Sequence, residues 1–194
     1  MNICLFGGTF DPPHNGHLAI ARQCLSRFQV EQVLFVPSYI APHKTSRPVS
    51  PVHHRLTMLR LALQSHPNAA VSEVEIKRGG VSYSIETILQ IKKIYGLVRK
   101  NLFFLIGSDS LTEFHTWHEP ERILAEARVV VATRPHYPVE EIPAEFRDRV
   151  ELLENPLYDI SSSVIRQKAG NGESIEELVP ENVADYIHRH RLYK

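Results

Sequence analysis

Between positions 7 and 17 the chain reads Gly7-Gly8-Thr9-Phe10-Asp11-Pro12-Pro13-His14-Asn15-Gly16-His17. Two glycines let backbone N–H groups approach an anion, two prolines stiffen the loop, and Gly16 permits close approach where a helix opens. His14 and His17 are three apart, so across a helix start both imidazoles can face one anion, where the helix N-terminus adds partial positive charge. The chemistry this suits is the holding of phosphate. Neither Gly-x-x-x-x-Gly-Lys-Ser/Thr nor Gly-x-Gly-x-x-Gly is present, so the common phosphate and dinucleotide fingerprints do not explain the loop. Two other uses compete: a solvated or capping pair of histidines, and a zinc site, which lacks a third ligand at standard spacing here.

Such a loop needs a strand before it and a helix after it. Residues 3 to 6 (ICLF) form a short apolar run that stops at the glycines, and from Gly16 to Phe28 apolar residues recur at helical spacing. A second strand is expected at Val33 to Val36, followed by an irregular, proline-containing stretch to Ser50 that is long enough for a functional loop. Ser50-Pro51 predicts a helix start with Ser50 as N-cap. A third strand is expected at Val71 to Ile76, and a helix capped by Ser84 and closed by Gly96. The run LFFLI at 102 to 106 predicts a fourth buried strand that stops at Gly107-Ser108-Asp109. A helix at 120 to 127, strands at 129 to 132 and 150 to 153, and helices starting near Ser161 and Pro180 complete the pattern. Strands alternating with helices over the whole length predict an α/β fold with a doubly wound parallel sheet, three layers deep. In such sheets ligands bind beyond the carboxyl ends of the strands where strand order reverses, so the loops after the first and fourth strands are the candidates.

Composition agrees. The 194 residues suffice for one domain with its own core, at 43% hydrophobic and 23% charged. Lys plus Arg equals Asp plus Glu at 22 each, a balance that argues against a dedicated nucleic-acid binder. No apolar run approaches the roughly 20 residues of a membrane span. The two cysteines, Cys4 and Cys24, lack Cys-x-x-Cys spacing and read as small core residues; with no secretory leader before the first strand, a reducing cytoplasm is expected.

The string GGTFDPPHNGH resembles the signature of the nucleotidyltransferase superfamily with the His-x-Gly-His motif, and its GGTFDPPH form is similar to the nicotinate-nucleotide adenylyltransferase family. Ile160-Ser161-Ser162-Ser163-Val164-Ile165-Arg166 resembles the second signature, Ile-Ser-Ser-Thr-x-Ile-Arg, with Ser163 in place of Thr. The resemblance extends through Pro42-His43-Lys44, where Ala41 replaces a frequent proline, and Ser82-Tyr83-Ser84 with Thr87. It continues through Ile106-Gly107-Ser108-Asp109, Phe114 to His118, and Tyr186-Ile187 to Leu192-Tyr193. It implies one Rossmann-like nucleotidyltransferase domain over 1–194, with 160–194 carrying the second ATP-binding motif. The implied reaction joins ATP and nicotinate mononucleotide, giving nicotinate adenine dinucleotide and pyrophosphate. Transfer to another phosphate, such as nicotinamide mononucleotide or phosphopantetheine, cytidylyl transfer, and a non-catalytic ATP sensor are the alternatives.

By this resemblance His14, His17, Arg166 and Lys44 would be catalytic. ATP would be held by Gly7, Gly8, Thr9, Phe10, His14, Gly16, His17, Gly107, Asp109, Ile160, Ser161, Ser162 and Arg166. Nicotinate mononucleotide would meet Lys44, Ser84, Ile85, Asp109, Trp117 and His118, with Trp117 stacking on the pyridine and backbone amides near Ile85 and His118 binding its carboxylate. For several of these a plainer use stands beside the functional one. Asp109 could cap a helix, Trp117 could be core, Lys44 and Arg166 could be surface cations, and Ser161 could be a simple N-cap. Mg²⁺ would arrive with ATP, whose phosphates supply most of its ligands. No chemistry is assigned to His53, His54, His136, His188 or His190, and self-association stays open.

Overall fold

Apolar runs without alternation become central strands because both faces of the sheet are covered. The computed structural model describes residues 1–42, 49–133, 144–153 and 160–194. Among these, β1 (Ile3–Gly8), β2 (Gln32–Pro37), β3 (Ala69–Val71), β4 (Leu102–Gly107), β5 (Arg128–Ala132) and β6 (Glu151–Leu153) form one parallel sheet in the order β3-β2-β1-β4-β5-β6. Successive residues of β1 point to opposite faces. Cys4 and Phe6 enter one apolar cluster with Phe35 and Phe103, whereas Ile3 and Leu5 enter the other with Leu34 and Phe104.

Helices complete the layers. The first face is covered by α1 (Asn15–Arg27), α2 (Val52–Leu63), α8 (Ser162–Asn171) and α9 (Glu181–Arg189), through side chains such as Leu18, Leu59, Ile165 and Ile187. The second is covered by α4 (Ser84–Tyr95), α5 (Ser108–Thr112), α6 (Pro120–Glu126) and α7 (Ala144–Arg147), through Ile88, Leu111, Ile123 and Phe146. Strand order reverses between β1 and β4, so a crevice opens beyond their carboxyl ends, at Gly7-Gly8 and Gly107. The doubly wound architecture read from the sequence is the one observed. Among the described residues no helix is long and apolar enough to cross a membrane.

Three local expectations are corrected. The strand placed at Val71 to Ile76 ends at Val71, and Val74–Arg78 is a short helix, α3. After Ser72 donates to the Phe35 carbonyl the chain leaves the sheet, and the helical turn carries Glu75 inward to the Thr87 hydroxyl. Ser50 does not cap α2: Pro51 is the N-cap, and the Ser50 N–H donates instead to Asp11 Oδ2 at 2.9 Å. Tyr83, not Ser84, is the N-cap of α4, with Ser84 its first helical residue.

Candidate active site

The β1–α1 loop owes its shape to histidine capping. His14 is the N-cap of α1; its Nδ1 accepts from the His17 N–H at 3.4 Å, and its own N–H donates to His17 Nδ1 at 3.2 Å. This is a reciprocal capping box in which imidazoles stand where hydroxyl and carboxylate groups usually do. A ring that accepts at Nδ1 carries its proton on Nε2, so the helix backbone itself selects the tautomer of both rings. The rings stack with centroids 3.6 Å apart. Gly16 makes this possible, since a Cβ there would sit 3.1 Å from His14 Nδ1. The capping reading of the two histidines is thus the arrangement observed. His17 also packs edge-on against Phe10, at 5.1 Å, and Phe10 is buried.

The carbonyls of this loop are taken from outside. Arg55 Nη1 donates to the Thr9 carbonyl at 2.9 Å, Arg166 Nη1 to the Asp11 carbonyl at 2.9 Å, and Ser162 Oγ to the Pro12 carbonyl at 2.9 Å. The Asp11 carboxylate, 4% exposed, accepts from the Ser50 N–H and from the Tyr193 hydroxyl, the latter at 2.7 Å. Arg55 is 2% exposed, and its Nε donates to the Ser50 carbonyl at 3.1 Å. Buried ions cost several kcal/mol each when left without partners, and both of these carry two hydrogen bonds. Burial pushes the Arg55 guanidinium down from its ordinary value, opposed by the nearby Asp11 charge. The Thr9 hydroxyl, by contrast, is buried without a hydrogen-bond partner in the chain.

The second motif thus docks directly on the first. Ser161 caps α8, its Oγ accepting from the Val164 N–H at 3.2 Å, and Ile160 packs near Gly16. Arg166 also donates to Ser163 Oγ at 3.2 Å. The Ser161 oxygen is therefore engaged in capping α8 and the Ser162 oxygen in holding α8 against the loop.

The other side of the crevice is built from α4 and the turn after α5. The Tyr83 ring lies 4.5 Å from His118, which brings Ser84 and Ile85 opposite Trp117 and His118. Trp117 is half-buried, against Phe114 at 5.3 Å and Phe104 at 6.2 Å, at the edge of the second apolar cluster. Asp109 lies in the first turn of α5, whose N-cap is Gly107, so the capping alternative for Asp109 is not the one adopted. Beneath α4, Glu75 is buried and accepts from the Thr87 hydroxyl at 2.6 Å. Burial raises its carboxyl above the ordinary value, against the hydroxyls of Thr87 and Ser82 and the Arg78 charge.

The structure thus brings Ile160, Ser162 and Arg166 onto the first loop, with Ser161 capping α8 between them, and brings Tyr83, beside Ser84 and Ile85, onto His118, next to Trp117; Gly107 ends β4, the strand beside β1, and Asp109 follows it. Lys44 and His136 lie outside the described residues. Sequence reasoning passed over Asp11, Arg55, Glu75 and Tyr193. The available sign for Arg55 was a cation on the apolar face of α2, three and four residues before the buried Met58 and Leu59. Among the described residues no group of three or more His, Cys, Asp or Glu side chains is arranged to hold a metal ion. His54 donates to or accepts from the Tyr186 hydroxyl at 2.9 Å and packs beside His53 and His190.

The cytidylyltransferase-like family profile matches residues 5–168. A protein of Thermomicrobium roseum named "Probable nicotinate-nucleotide adenylyltransferase" is 43% identical over 196 residues, covering 98% of this chain and 90% of its own. One of the same name from Exiguobacterium sibiricum is 40% identical, covering 100% and 99%. The solved nicotinic acid mononucleotide adenylyltransferase of Plasmodium falciparum, complexed with NaAD, superposes with a TM-score of 0.82 at 19% identity, covering 99% of this chain and 97% of that one. Full-length likeness at this identity, joined to the two interlocked motifs, makes the chain a member of the nicotinate-nucleotide adenylyltransferase family within the cytidylyltransferase-like group.

Proposed function

We infer that the chain transfers the adenylyl group of ATP to nicotinate mononucleotide, giving nicotinate adenine dinucleotide and pyrophosphate in NAD biosynthesis. The observation that carries this reading is the convergence of two helix N-termini, α1 and α8, on one loop through the Ser162 and Arg166 contacts. Two such termini with two histidines and an arginine form a concentrated donor set for a polyphosphate. An oxygen of the mononucleotide phosphate attacks the α-phosphorus; that P–O bond forms as the bond to the β-phosphate oxygen breaks, and pyrophosphate leaves with the electron pair. The nucleophile belongs to the substrate, so the protein aligns two anions and stabilises charge.

In this scheme the Nε2–H groups of His14 and His17 donate to phosphate oxygens, with His17 nearest the α-phosphate. Thr9 supplies its unpartnered hydroxyl, and the loop backbone at Gly7, Gly8, Phe10 and Gly16 lines the nucleotide. Arg166 takes the β and γ phosphates with the N–H groups beyond those it gives to the Asp11 carbonyl and Ser163, while Ile160, Ser161 and Ser162 present the start of α8. Gly107 lets the nucleotide pass closely, and Asp109 holds a ribose hydroxyl. Trp117 stacks on the pyridine, and the amides near Ile85 and His118 hold its carboxylate, with Ser84 alongside. Lys44 clamps the bridging phosphates. Mg²⁺ fits as an ion carried by ATP rather than caged by side chains, given the donors described, and would supply charge neutralisation on the phosphates. Residues 1–194 act in this reading as one nucleotidyltransferase domain, supported by the contacts of 160–194 on the first loop. The two free, buried cysteines suit a reducing cytoplasm.

Pyrophosphate release with Mg-ATP and either nicotinate or nicotinamide mononucleotide tests the reading. A strong preference for nicotinate is expected. Equal use of both would remove the acid-selective pocket, and release with neither would overturn adenylyl transfer to pyridine nucleotides in favour of another phosphate or a binding-only role.

A further inference from the structure

Beyond α9 the chain turns back through Arg191 and Tyr193, both in left-handed backbone conformations (φ 51° and 71°), and lays Tyr193 against the first loop. Its hydroxyl donates to Asp11 Oδ1 at 2.7 Å and lies 3.9 Å from Met58 Sδ. Non-glycine residues adopt such conformations only where the surroundings hold them, so two in three residues mark a segment fixed by its contacts. Gly170 of α8 is shaped to receive it, because a Cβ there would come within 2.8 Å of the Tyr193 carbonyl oxygen. A glycine inside a helix lowers helix stability relative to alanine, and close passage of another backbone is a physical reason to keep one.

We propose that Tyr193 is a positioning residue for the phosphate loop, acting through Asp11. Asp11 is the junction of three segments: its carboxylate binds Tyr193 and the N–H of Ser50, and its carbonyl binds Arg166. Arg55 closes the frame by joining the Ser50 and Thr9 carbonyls. Three residues further on, His14 begins the capping box that orients both histidines. Tyr193 touches no reacting atom; it fixes the group that fixes the loop.

This inference rests on the loop being the ATP phosphate site, and the test separates the two. Y193F removes one oxygen, D11N removes the charge while keeping a carbonyl acceptor for Ser50, and G170A leaves both groups intact while pushing the Tyr193 backbone away. Turnover with Mg-ATP and nicotinate mononucleotide, ATP binding by calorimetry, and thermal melting are measured for each, and for the Y193F/D11N pair. Y193F is expected to lower kcat roughly tenfold and weaken ATP, with the KM for the mononucleotide unchanged. The double variant should lose no more than D11N alone, because both act on one link. G170A should show the Y193F pattern even though alanine favours α8, which separates positioning from simple loss of helix stability. Multiplicative losses in the double variant, equal rises in both KM values, or wild-type kinetics in Y193F would overturn the proposal. If the wild-type protein itself releases no pyrophosphate, the functional reading fails on its own. ATP affinity then decides this one: non-additive weakening by Y193F and D11N sustains it, and unchanged affinity in Y193F overturns it.

Discussion

The two ends of the crevice are built differently. Around the β1–α1 loop, three carbonyls are held by Arg55, Arg166 and Ser162, a buried carboxylate has two donors, and His14 is 3% exposed. Across the crevice, Trp117 is half-buried, His118 is 50% exposed on its side chain, and the Tyr83 and His118 rings meet tilted, 4.5 Å apart. Hydrogen bonds to charged groups constrain angle and distance, whereas ring contacts tolerate small shifts. Phosphoryl transfer needs oxygen and phosphorus in line, and a flat heterocycle needs only a face and an edge. In the proposed function the first end handles the phosphates and the second the heterocycle, and the difference suits that division.

Breaking the rigid end should have the largest effect. H17A is expected to lower kcat by roughly 10²-fold, the scale of losing one donor at a developing charge, while ATP affinity falls far less. Equal loss in both, read from steady-state kinetics beside calorimetric ATP binding, would assign His17 to ground-state binding. G16A comes next: its Cβ would lie 3.1 Å from His14 Nδ1, so the ring must move and the capping box opens. A loss of roughly tenfold in kcat is expected, with about 1 kcal/mol of stability lost with the cap, read from denaturant unfolding. An unchanged G16A would mean that the stacked pair needs no such close approach.

Disturbing the adaptable end should move one substrate only. W117A is expected to raise the KM for nicotinate mononucleotide about tenfold, near the upper range of an aromatic contact, and to leave the KM for ATP in place. A parallel rise for ATP would show the two ends to be coupled. The smallest effect concerns His54, whose imidazole is held below its ordinary value by burial and by His53 and His190, against the pull of Asp11. A base depressed in the folded state is protonated first in the unfolded chain, so this stabilisation is present above the ordinary imidazole value and is lost as pH falls below it. Melting temperature should decline as pH drops through about 6.5, and H54Q should lessen that decline. An identical slope in H54Q would move the cause to other groups.

Much of the crevice was legible along the chain. The glycines ending two apolar runs marked the ends of β1 and β4, and the order of strands and helices placed those ends at one crossover. His14 and His17 were paired by spacing alone, since three residues make one helical turn. Glu75 and Thr87 were not, because twelve residues and a change of direction separate them. The strand expected at 71 to 76 failed for a related reason: Val71, Val74 and Ile76 carry no clean period, and the turn into α3 is favoured by burying Glu75 against α4. Tyr193 and Asp11 are 182 residues apart, a distance no local pattern spans.

By itself, then, the sequence determined the doubly wound sheet, the β1–α1 loop and the family, because periodicity, glycine placement and histidine spacing act through neighbouring residues. Only the tertiary structure decided which carbonyls the arginines hold, that the serines of the second motif brace the loop, and that Asp11 ties Ser50, Arg166 and Tyr193 together. Those contacts join segments remote in the chain. They exist because packing both faces of the sheet brings α2, α8 and the segment after α9 to the same strand ends, where buried polar groups must find partners.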